Sequence, residues 1–571
     1  MKKIIENVHI ETISGRTLDT SPSFILNIQN NKYAFNIPEM FQRSILATHT
    51  KIKNFQSVFI TSLYPDSVGG LSCFILQSYF QKKELFQIIG PKEIPEVILF
   101  DCNYVGEQIT GKYQIEVNNN FSNADIDVNM ITLSRSVCYD VLLKRQNQHI
   151  LIVDCRSIED LAQLPDLNLF TLIFHLTIPE ILIQKDYITF FTSNVNTTKE
   201  KNFCFMPSGI ISNVFSNKFY TQKLNGLLQP LAHGNTLKPP KGFINLTSEK
   251  SVYDIIEQKL EITNQGELIE IDYDVLKNLN GLQILFQLIQ FEPQLPTFEK
   301  YAITFLGSTT KFVSVLRNNS GYLIHTKNGF IILDPSEGFL GQIKRKYGPK
   351  LTEYILKNIE CIWISHYHHD HCFGACSLLY ERSKLTEKEI FFLAPQKLID
   401  DIQIVSHHYG DFHVIYHNRE GQTDEKSEVA TIQIDDHLCI QSVDVFHDVP
   451  FAKGCMFVID DSIKIAFSGD RAYKQDQFAD VFKNVDALIH EGTFPDRLKG
   501  KTDKFIKKHS FLGEAIETSI EMKSKFTMIT HLSQRYTDEE LEKKISDNIM
   551  FVFDFLEFTE ENAKNIFDNI A

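Results

Sequence analysis

The stretch from residue 361 to residue 374, CIWISHYHHDHCFG, constrains the fold more than any other part of this sequence. A short apolar run precedes four histidines and one aspartate within six positions. Such a run is typical of a buried parallel strand, and α/β sheets present functional side chains at the carboxyl ends of their strands. Alternate residues of an extended segment point the same way, so His366 and His368 can share one ion. Asp370 and His371 lie out of phase and can address a second ion.

The chain carries two versions of one α/β pattern. FNIPEMFQR and VFITSLYPDSVGGL in the first half match LDPSEGFLGQ and IWISHYHHDHCFGA in the second half, in the same order of strand, turn, helix, strand and loop. Ser62, Tyr64 and Ser67 stand where the second half has histidines, and only Asp66 is kept, opposite Asp370. We therefore predict two copies of one unit, with candidate ligands only in the second. Two unrelated segments with a common pattern remain the alternative.

Two segments with a helical pattern and a proline-containing segment after them predict the domain boundaries. EKSVYDIIEQKLEI and YDVLKNLNGLQILFQLIQ read as amphipathic helices and precede FEPQLPTFEK, which is typical of a linker. We expect a degenerate domain over residues 1–240, a helical linker over 241–296 and a second domain over 297–571. TEENAKNIFDNI predicts a closing helix.

Composition limits the compartment and the partners. No apolar run reaches the roughly 18 residues of a membrane span, and MKKIIENVHIETISG lacks the apolar core of a signal peptide. The 10 cysteines form no CxxC pair, which favours a reducing compartment. We expect an intracellular protein of the nucleus, the cytoplasm or both, with the mitochondrion left open, that binds no membrane. A net charge of −15 argues against a general nucleic-acid coat but permits a local basic groove.

Three further stretches repeat the order of strand and then ligand. VDVFHDVPF offers His447, KIAFSGDRA offers Asp470 after a tight turn, and TMITHLSQRY offers His531. A carboxylate in that turn could bridge two ions. Histidine nitrogens and carboxylate oxygens suit Zn²⁺, and Mn²⁺ or iron would also be tolerated. Each stretch alone is equally well interpreted as a surface histidine or a capping aspartate, but together with the first cluster they favour one site.

These motifs resemble a known family. HxHxDH, a later histidine, SGD and a final histidine are similar to the metallo-β-lactamase fold. FLGS, IHEGT, KKHS and HLSQRY more narrowly resemble the catalytic half of long-form tRNase Z, and FNIPEMFQR with TSLYPDSVGGL resembles its degenerate half. The resemblance implies an α/β fold of two metallo-β-lactamase-like αββα sandwich halves in tandem, the N-terminal one degenerate. It implies a first Zn²⁺ held by His366, His368, His447 and Asp470, and a second held by Asp370, His371, Asp470 and His531.

The resemblance also implies the reaction, which is endonucleolytic removal of the 3′ trailer from precursor tRNA, leaving a 3′-hydroxyl on the tRNA. Two ions about 3.5–4 Å apart clamp such a phosphoryl displacement. The leaving oxygen needs a proton from a group that is not a ligand. The family implies His509 as this acid, Glu491 as the residue that orients its ring, and Asp370 as a further catalytic residue. From the residues alone, Glu491 and His509 are each better explained as structural.

Substrate contacts are expected from several places. The basic stretch RLKGKTDKFIKK could track phosphates or form a solvated face, and GQIKRKYGPK could extend it or be an exposed helix face. VSVLRN takes the place of the family loop PxKxRN, which handles the acceptor end. The expected substrate-binding residues are Arg317, Asn318, Lys507, Lys508, Ser533 and Arg535. In the first half, SVCYDVLLKRQNQHILIVDC leaves room only for a shortened tRNA-gripping arm around Lys144 and Arg145.

Two other functions stay open. The same binuclear site could hydrolyse another nucleic acid or a small phosphodiester, or the chain could be a non-catalytic metal-binding scaffold. We expect a monomer in which the degenerate half packs against the active half as a second subunit would.

Overall fold

A computed structural model gives the fold of the chain as two compact units. Unit 1 comprises residues 1–214 and 233–285, and unit 2 comprises residues 215–232 and 286–571. The structure describes residues 8–17, 19–47, 50–80, 86–98, 115–116, 120–193, 202–205, 241, 243–245, 259–262, 268–270, 294–314, 317–418, 429–500 and 508–569.

Unit 1 contains two mixed sheets, ordered β15-β14-β1-β2-β3-β4-β5-β6 and β13-β12-β11-β10-β9-β8-β7. Their strands are β1 (Val8–Ser14), β2 (Ser23–Ile28), β3 (Asn31–Phe35), β4 (Phe55–Phe59), β5 (Gln87–Ile89), β6 (Ile115–Glu116), β7 (Asn120–Ser122), β8 (Ile126–Thr132), β9 (Val137–Leu143), β10 (Gln148–Val153), β11 (Leu172–His175), β12 (Asn202–Cys204), β13 (Phe243–Asn245), β14 (Lys259–Ile262) and β15 (Leu268–Glu270). The helices are Phe41–Ala47, Pro65–Val68, Leu71–Phe80, Ile94–Val97, Pro179–Leu182 and Lys185–Ser193, with 3₁₀ turns at Glu159–Gln163 and Leu167–Leu169.

Unit 2 repeats this plan, with sheets ordered β21-β20-β19-β18-β17-β16-β29 and β22-β23-β24-β25-β26-β27-β28. Its strands are β16 (Ala302–Gly307), β17 (Gly321–His325), β18 (Phe330–Leu333), β19 (Ile359–Trp363), β20 (Ile390–Ala394), β21 (Val414–Asn418), β22 (Ala430–Gln433), β23 (Leu438–Asp444), β24 (Lys453–Ile459), β25 (Ile463–Phe467), β26 (Ala487–Glu491), β27 (Phe526–Thr530), β28 (Ile549–Phe551) and β29 (Glu557–Thr559). The helices are Phe339–Lys357, His369–Cys372, Ala375–Ser383, Gln396–Tyr409, Phe478–Val481, Leu512–Met522, Asp538–Glu542 and Ala563–Asn569, with a 3₁₀ turn at Asp496–Leu498.

In each unit the two sheets pack face to face. One apolar cluster in unit 2 contains side chains from both sheets, including the fully buried Trp363 of β19 and Phe457 of β24, and a similar cluster joins the two sheets of unit 1. Helices pack on the outer faces, as Tyr187 and Phe191 do against β10 and β11 in unit 1. The predicted tandem of αββα sandwiches is therefore confirmed.

Strand direction explains where side chains can gather. In unit 2 the neighbours β18, β19, β20 and β21 run parallel, as do β25, β26, β27 and β28. The carboxyl ends of parallel strands lie at one edge of their sheet, so residues that follow β25 and β27 share an edge, and those that follow β19 lie at an edge of the facing sheet.

The last residues of the first helix predicted in the linker form a strand instead. Within residues 241–296 the described residues include the strands β13, β14 and β15, and β14 pairs antiparallel with β1 where EKSVYDIIEQKLEI predicted a helix. The second predicted helix, over 273–290, lies outside the described residues. The boundaries at 240 and 296 stay a prediction, whereas the closing helix is confirmed at Ala563–Asn569.

A tight hairpin stands where a shortened arm was expected. Residues 144–147 alone connect β9 to β10, and Lys144 Nζ lies 2.8 Å from Asp127 Oδ1 on the neighbouring β8. Lys144 therefore belongs to the sheet surface rather than to an arm. Within the part of the chain that the structure describes, no helix combines the length and apolarity that crossing a membrane requires.

Candidate metal centre

The seven predicted metal ligands lie together in unit 2, each beyond the end of a strand. His366 and His368 follow β19, and Asp370 and His371 lie in the short helix His369–Cys372. The other three are His447 after β23, Asp470 after β25 and His531 after β27. The order of apolar strand and then ligand was therefore a reliable guide to which side chains meet.

Four of these residues form the first donor group. Donor atoms of His366, His368, His447 and Asp470 all lie within 4.8 Å of one another. His368 Nδ1 is 2.9 Å from His366 Nε2 and 3.3 Å from His447 Nε2. Asp470 Oδ2 lies 3.8 Å from the Nε2 atoms of both His366 and His447.

The second donor group consists of Asp370, His371 and His531, whose donor atoms also lie within 4.8 Å of one another. His531 Nε2 is 3.4 Å from Asp370 Oδ2. Asp470 Oδ2 is 3.3 Å from His371 Nε2 and 3.4 Å from His531 Nε2. A single carboxylate oxygen thus stands between the two groups, at the position from which it can serve both.

Hydrogen bonds to the outer ring nitrogens fix most of the imidazoles. The Nδ1 atoms contact acceptors that lie away from the centre, which leaves each Nε2 directed inward. These contacts are His366 with Ser365 Oγ at 3.0 Å, His371 with Asp334 Oδ2 at 2.7 Å, His447 with the Lys508 carbonyl oxygen at 2.9 Å and His531 with Thr493 Oγ1 at 2.8 Å.

The side chains at this centre fit divalent metal ions. Among the described residues, His371 Nε2 and Asp470 Oδ1 are buried atoms without a hydrogen-bond partner. Burial lowers the pKa of His366 and of His368, and the neighbouring imidazoles lower both further, so these rings are neutral and can act as ligands. Buried, neutral imidazoles around carboxylates are the donor set of a transition-metal site.

The buried Glu491 and the partly exposed His509 form a pair beside the donor groups. Glu491 is 1% exposed, and its Oε1 lies 3.2 Å from His509 Nδ1 and accepts the backbone N–H of Arg471 at 2.6 Å. Thr493 donates its hydroxyl to Glu491 Oε2. Burial lowers the pKa of His509, but the negative charges of Glu491 and Asp470 outweigh it and raise this pKa to about 9. His509 is therefore held as a cation, with Nδ1 3.7 Å from Asp470 Oδ2.

Sequence reasoning missed the supporting contacts. Asp334 was not a predicted site residue, yet it accepts hydrogen bonds from the backbone N–H and the hydroxyl of Ser365, both at 2.6 Å, as well as from His371. Thr493 and the Lys508 carbonyl were not considered. The available signal was the position of Asp334 directly after β18, which is the same strand-end position that revealed the ligands.

The predicted substrate-binding residues are divided by burial. Arg317 is 7% exposed and Asn318 is 1% exposed. Asn318 donates its backbone N–H to Asp554 and its side-chain amide to the Glu337 carbonyl oxygen. This geometry argues against direct substrate contact by Asn318, because its polar groups hold the loop internally. Ser533 is also buried, and its hydroxyl accepts the backbone N–H of Arg535 at 3.2 Å.

Lys508 and Arg535 remain at the surface. Lys508 Nζ lies 4.6 Å from the ring centroid of Phe446, and the Arg535 guanidinium lies 5.2 Å from that of Phe494. Lys507 lies outside the described residues.

The two basic stretches offer fewer basic side chains for substrate binding than the sequence predicted. In GQIKRKYGPK, Arg345 and Lys346 are each 2% exposed, and Lys346 pairs with Glu557, so this stretch does not extend a basic patch. In RLKGKTDKFIKK, Arg497 pairs with Glu540 and Lys499 with Asp496, while residues 501–507 lie outside the described residues.

Two protein families match parts of the chain. Residues 330–532 match the β-lactamase superfamily domain, and residues 11–70 match the tRNase Z endonuclease family. Each match falls in a different unit, as expected for two related halves.

Curated relatives and solved structures agree with these matches. Ribonuclease Z, mitochondrial, from Drosophila melanogaster is 28% identical over 288 residues, which is 46% of this chain and 35% of that protein. Ribonuclease Z 1 from Schizosaccharomyces pombe is 30% identical over 274 residues, 43% of this chain and 33% of that protein. The chain spans about a third of the length of these curated relatives. A long-form RNase Z from yeast superposes with a TM-score of 0.76 over 99% of both chains at 17% identity, which shows a shared fold.

Proposed function

We propose that the chain is a long-form tRNase Z of the metallo-β-lactamase superfamily and that it removes the 3′ trailer from precursor tRNA. It would hydrolyse one phosphodiester and leave a 3′-hydroxyl on the tRNA. The observation that carries the proposal is the geometry of unit 2, where Asp470 Oδ2 stands between two donor groups and the His509–Glu491 pair adjoins them.

We propose two Zn²⁺ ions in this centre, with Mn²⁺ tolerated. Relatives from rat and human carry the name zinc phosphodiesterase ELAC protein 2, and the nitrogen and oxygen donors suit zinc. The first ion would be held by His366, His368, His447 and Asp470, and the second by Asp370, His371, Asp470 and His531. Two such ions act as Lewis acids on the scissile phosphate and on the attacking water.

His509 is proposed as the general acid for the leaving 3′ oxygen. It carries a proton because Glu491 and Asp470 raise its pKa, and the contact with Glu491 Oε1 fixes the ring. Donor atoms of His509, Asp470 and His531 also lie within 4.8 Å of one another, so metal ligation is the competing role. Metal analysis separates the two roles, because replacing an acid leaves the metal content unchanged.

Cations stacked on exposed aromatic rings support a nucleotide substrate. Phe446 is 40% exposed under Lys508, and Phe312 is 38% exposed with Lys311 Nζ 5.3 Å from its ring centroid. Both pairs border the centre, since the carbonyl oxygens of Lys508 and Lys311 contact ring nitrogens of His447 and His369. Aromatic faces next to cations are the groups that bind unstacked bases and phosphates of RNA.

A transcript-cleavage assay tests the proposal. We expect the purified chain with Zn²⁺ or Mn²⁺ to cut a 5′-labelled precursor tRNA next to the discriminator base, and Asp370→Ala to abolish cleavage while circular dichroism stays unchanged. Turnover of a small phosphodiester without cleavage of precursor tRNA would favour the broader phosphodiesterase. Two bound ions without turnover of either substrate would favour a scaffold.

We further propose that one chain is sufficient for activity, with unit 1 acting as the second subunit of a pseudo-dimer. Sedimentation of the active protein tests this directly, because activity that appears only with a dimer would contradict it.

A further inference from the structure

Unit 1 keeps the backbone of the metal centre, which allows its residues to be matched to those of unit 2. Asn36 follows β3 and Asp334 follows β18, and both adopt the left-handed conformation, with φ of 61° and 47°. Asn36 Oδ1 accepts the backbone N–H of Thr61 at 2.9 Å, as Asp334 Oδ1 accepts that of Ser365 at 2.6 Å. Thr61 and Ser365 are therefore equivalent, and the residues after them align without a gap.

The second sheet of each unit can be matched in the same way. The first residues of β9 and β24 donate their backbone N–H groups to the carbonyl oxygens of Thr61 and Ser365, at 2.7 and 3.0 Å. Ile152 and Phe467 are then equivalent, because each lies opposite the third residue of β9 or β24. Four residues further on, Arg156 occupies the chain position of Arg471.

The guanidinium of Arg156 lies where unit 1 has lost its metal ligands. Its Nη1 donates to Asp66 Oδ2 at 2.9 Å, and its Nη2 lies 2.7 Å from Asp154 Oδ2. Nη2 also lies 2.9 Å from Ser62 Oγ and 3.1 Å from Ser67 Oγ. Ser62, Asp66 and Ser67 are the equivalents of His366, Asp370 and His371.

The fourth position of the cluster contacts the same cation. Tyr64, the equivalent of His368, places its ring centroid 5.2 Å from the Arg156 guanidinium carbon. All four positions that carry ligands after β19 in unit 2 therefore contact this guanidinium after β4 in unit 1. A contact at one of these positions could arise by chance. Contacts at all four equivalent positions indicate that the guanidinium takes the place that a metal ion would have in unit 2.

Arg156 offsets part of the negative charge that Asp66 and Asp154 bring to this place. Asp154 is fully buried, and the side chain of Arg156 is 7% exposed. Burial lowers the pKa of Arg156, but the negative charges of Asp154 and Asp66 raise it by more than burial lowers it. The guanidinium therefore stays charged. A buried carboxylate without a partner is strongly destabilising, and a planar guanidinium can satisfy several oxygens at once.

The loop that carries His447 in unit 2 is shorter in unit 1. In unit 2 the loop between Val445 and Ala452 carries His447, and the Val445 N–H closes it on the Ala452 carbonyl. In unit 1 the equivalent loop is closed by a hydrogen bond from the Leu133 N–H to the Ser136 carbonyl. This loop contains two residues, whereas the loop in unit 2 contains six. The loop that would present a third histidine has been shortened.

We propose that Arg156 is the resident cation of unit 1 and that its guanidinium occupies a vestigial metal centre. This side chain ties the end of β4 to the end of β10 without any metal. The cavity that Arg156 fills is therefore a site for a planar guanidinium-type cation. The proposal does not depend on the activity of unit 2, and its test requires no cleavage assay.

Chemical rescue of the full chain tests the proposal. We expect Arg156→Ala to lower the Tm in calorimetry, and millimolar guanidinium to raise that Tm saturably in Arg156→Ala but not in the wild type. Urea is the matched control, because it has the same planar shape without the charge. Equal effects of urea and guanidinium, or an unchanged Tm in Arg156→Ala, would overturn the proposal.

Neutralising the carboxylates provides a second test that does not require Arg156→Ala to fold. Adding Asp66→Asn and Asp154→Asn to Arg156→Ala should restore stability and remove any dependence on guanidinium, because no buried charge is left unpaired. Arg16 is the control, since its guanidinium donates to the carbonyl oxygens of Leu176, Thr177 and Phe205 and interacts with Asp66 and Asp154 through charge alone. In Arg16→Ala the same two asparagines should lower the Tm further. A triple variant no more stable than Arg156→Ala would refute the resident-cation role.

Discussion

Replacing Asp334 by asparagine should weaken metal binding at the second donor group by about 10- to 100-fold. Asp334 is fully buried and holds two residues. Its Oδ1 accepts the backbone N–H of Ser365 at 2.6 Å, and its Oδ2 contacts Ser365 Oγ at 2.6 Å and His371 Nδ1 at 2.7 Å. The last contact keeps a ring proton on Nδ1, so that Nε2, which lies 3.3 Å from Asp470 Oδ2, is the nitrogen that a metal ion would use.

The magnitude follows from the tautomer of His371. Asparagine keeps an oxygen for the Ser365 N–H but places an NH₂ group where Oδ2 was. This group donates to His371 Nδ1, so the ring proton moves to Nε2, the atom that a metal would need. Turning the amide over would restore His371 but leave the Ser365 N–H facing a donor. A loss of 10- to 100-fold corresponds to about 1.4–2.8 kcal/mol of binding free energy.

Unit 1 indicates that the variant folds. Asn36 stands at the equivalent position with a left-handed φ of 61° and makes the equivalent contact to Thr61. The reciprocal change, Asn36→Asp, is the matched control, because it alters the same turn at a place without metal ligands.

Competition with a chromophoric zinc chelator measures the effect on the full chain. Asp334→Asn should show one ion bound 10- to 100-fold more weakly and a second ion less affected, while Asn36→Asp should bind both as the wild type does. Unchanged affinity for both ions in a folded Asp334→Asn protein would show that the tautomer of His371 does not control the second donor group.

Three further outcomes are expected. His509→Ala should lower kcat by about 10²- to 10⁴-fold with unchanged metal content by elemental analysis, and loss of metal would make His509 a ligand instead. Phe446→Ala should raise KM for precursor tRNA by about 5- to 100-fold, with a smaller effect on a chromogenic phosphodiester, and equal effects on both would exclude base stacking. Burial lowers the pKa of His325 to about 3, so the folded protein keeps this ring neutral. The free energy of unfolding is therefore unaffected by this residue above pH 6.5 and decreases as the pH falls from 6.5 toward 3, because only the unfolded chain takes up the proton. At pH 5 the free energy of unfolding is lower by about 2 kcal/mol for this reason. Urea unfolding of His325→Gln should show a correspondingly smaller decrease in the free energy of unfolding between pH 7 and pH 5.

The candidate ligands could be predicted because their signal is local. An apolar strand followed at once by His366, Asp470 or His531 can be recognised within about ten residues, and the parallel order of strands brings such ends to one edge. The positions lost from unit 1 were found for the same reason, since Thr61 and Ser365 each begin a loop of equal length.

Contacts between distant parts of the chain explain what the sequence did not predict. Lys346 lies on a helix that resembles a solvated basic face, yet it is buried against Glu557, more than 200 positions later in the sequence. Asn318 is likewise held by Asp554 from another segment. Lys259–Ile262 ends the longer stretch EKSVYDIIEQKLEI, for which a helix was predicted, but these four residues pair with β1 as a strand. In each case a partner that is distant in the sequence determines the outcome, and the local pattern does not reveal it.

A single turn explains why equivalent arginines point in different directions in the two units. Gly469 has a φ of +56°, and a Cβ there would lie 3.0 Å from the Ser365 Cβ, so this left-handed turn after β25 requires glycine. The turn directs Asp470 into the metal centre, and Arg471 leaves it to pair with Asp476 at 2.6 Å. In unit 1 the equivalent of Gly469 is Asp154, which is not left-handed. Cys155 takes the position of Asp470, so no carboxylate stands at the bridging position, and the arginine contacts the equivalents of the metal ligands. The conformation of one residue thus decides whether this sheet edge gathers a carboxylate for metal ions or a guanidinium that replaces them.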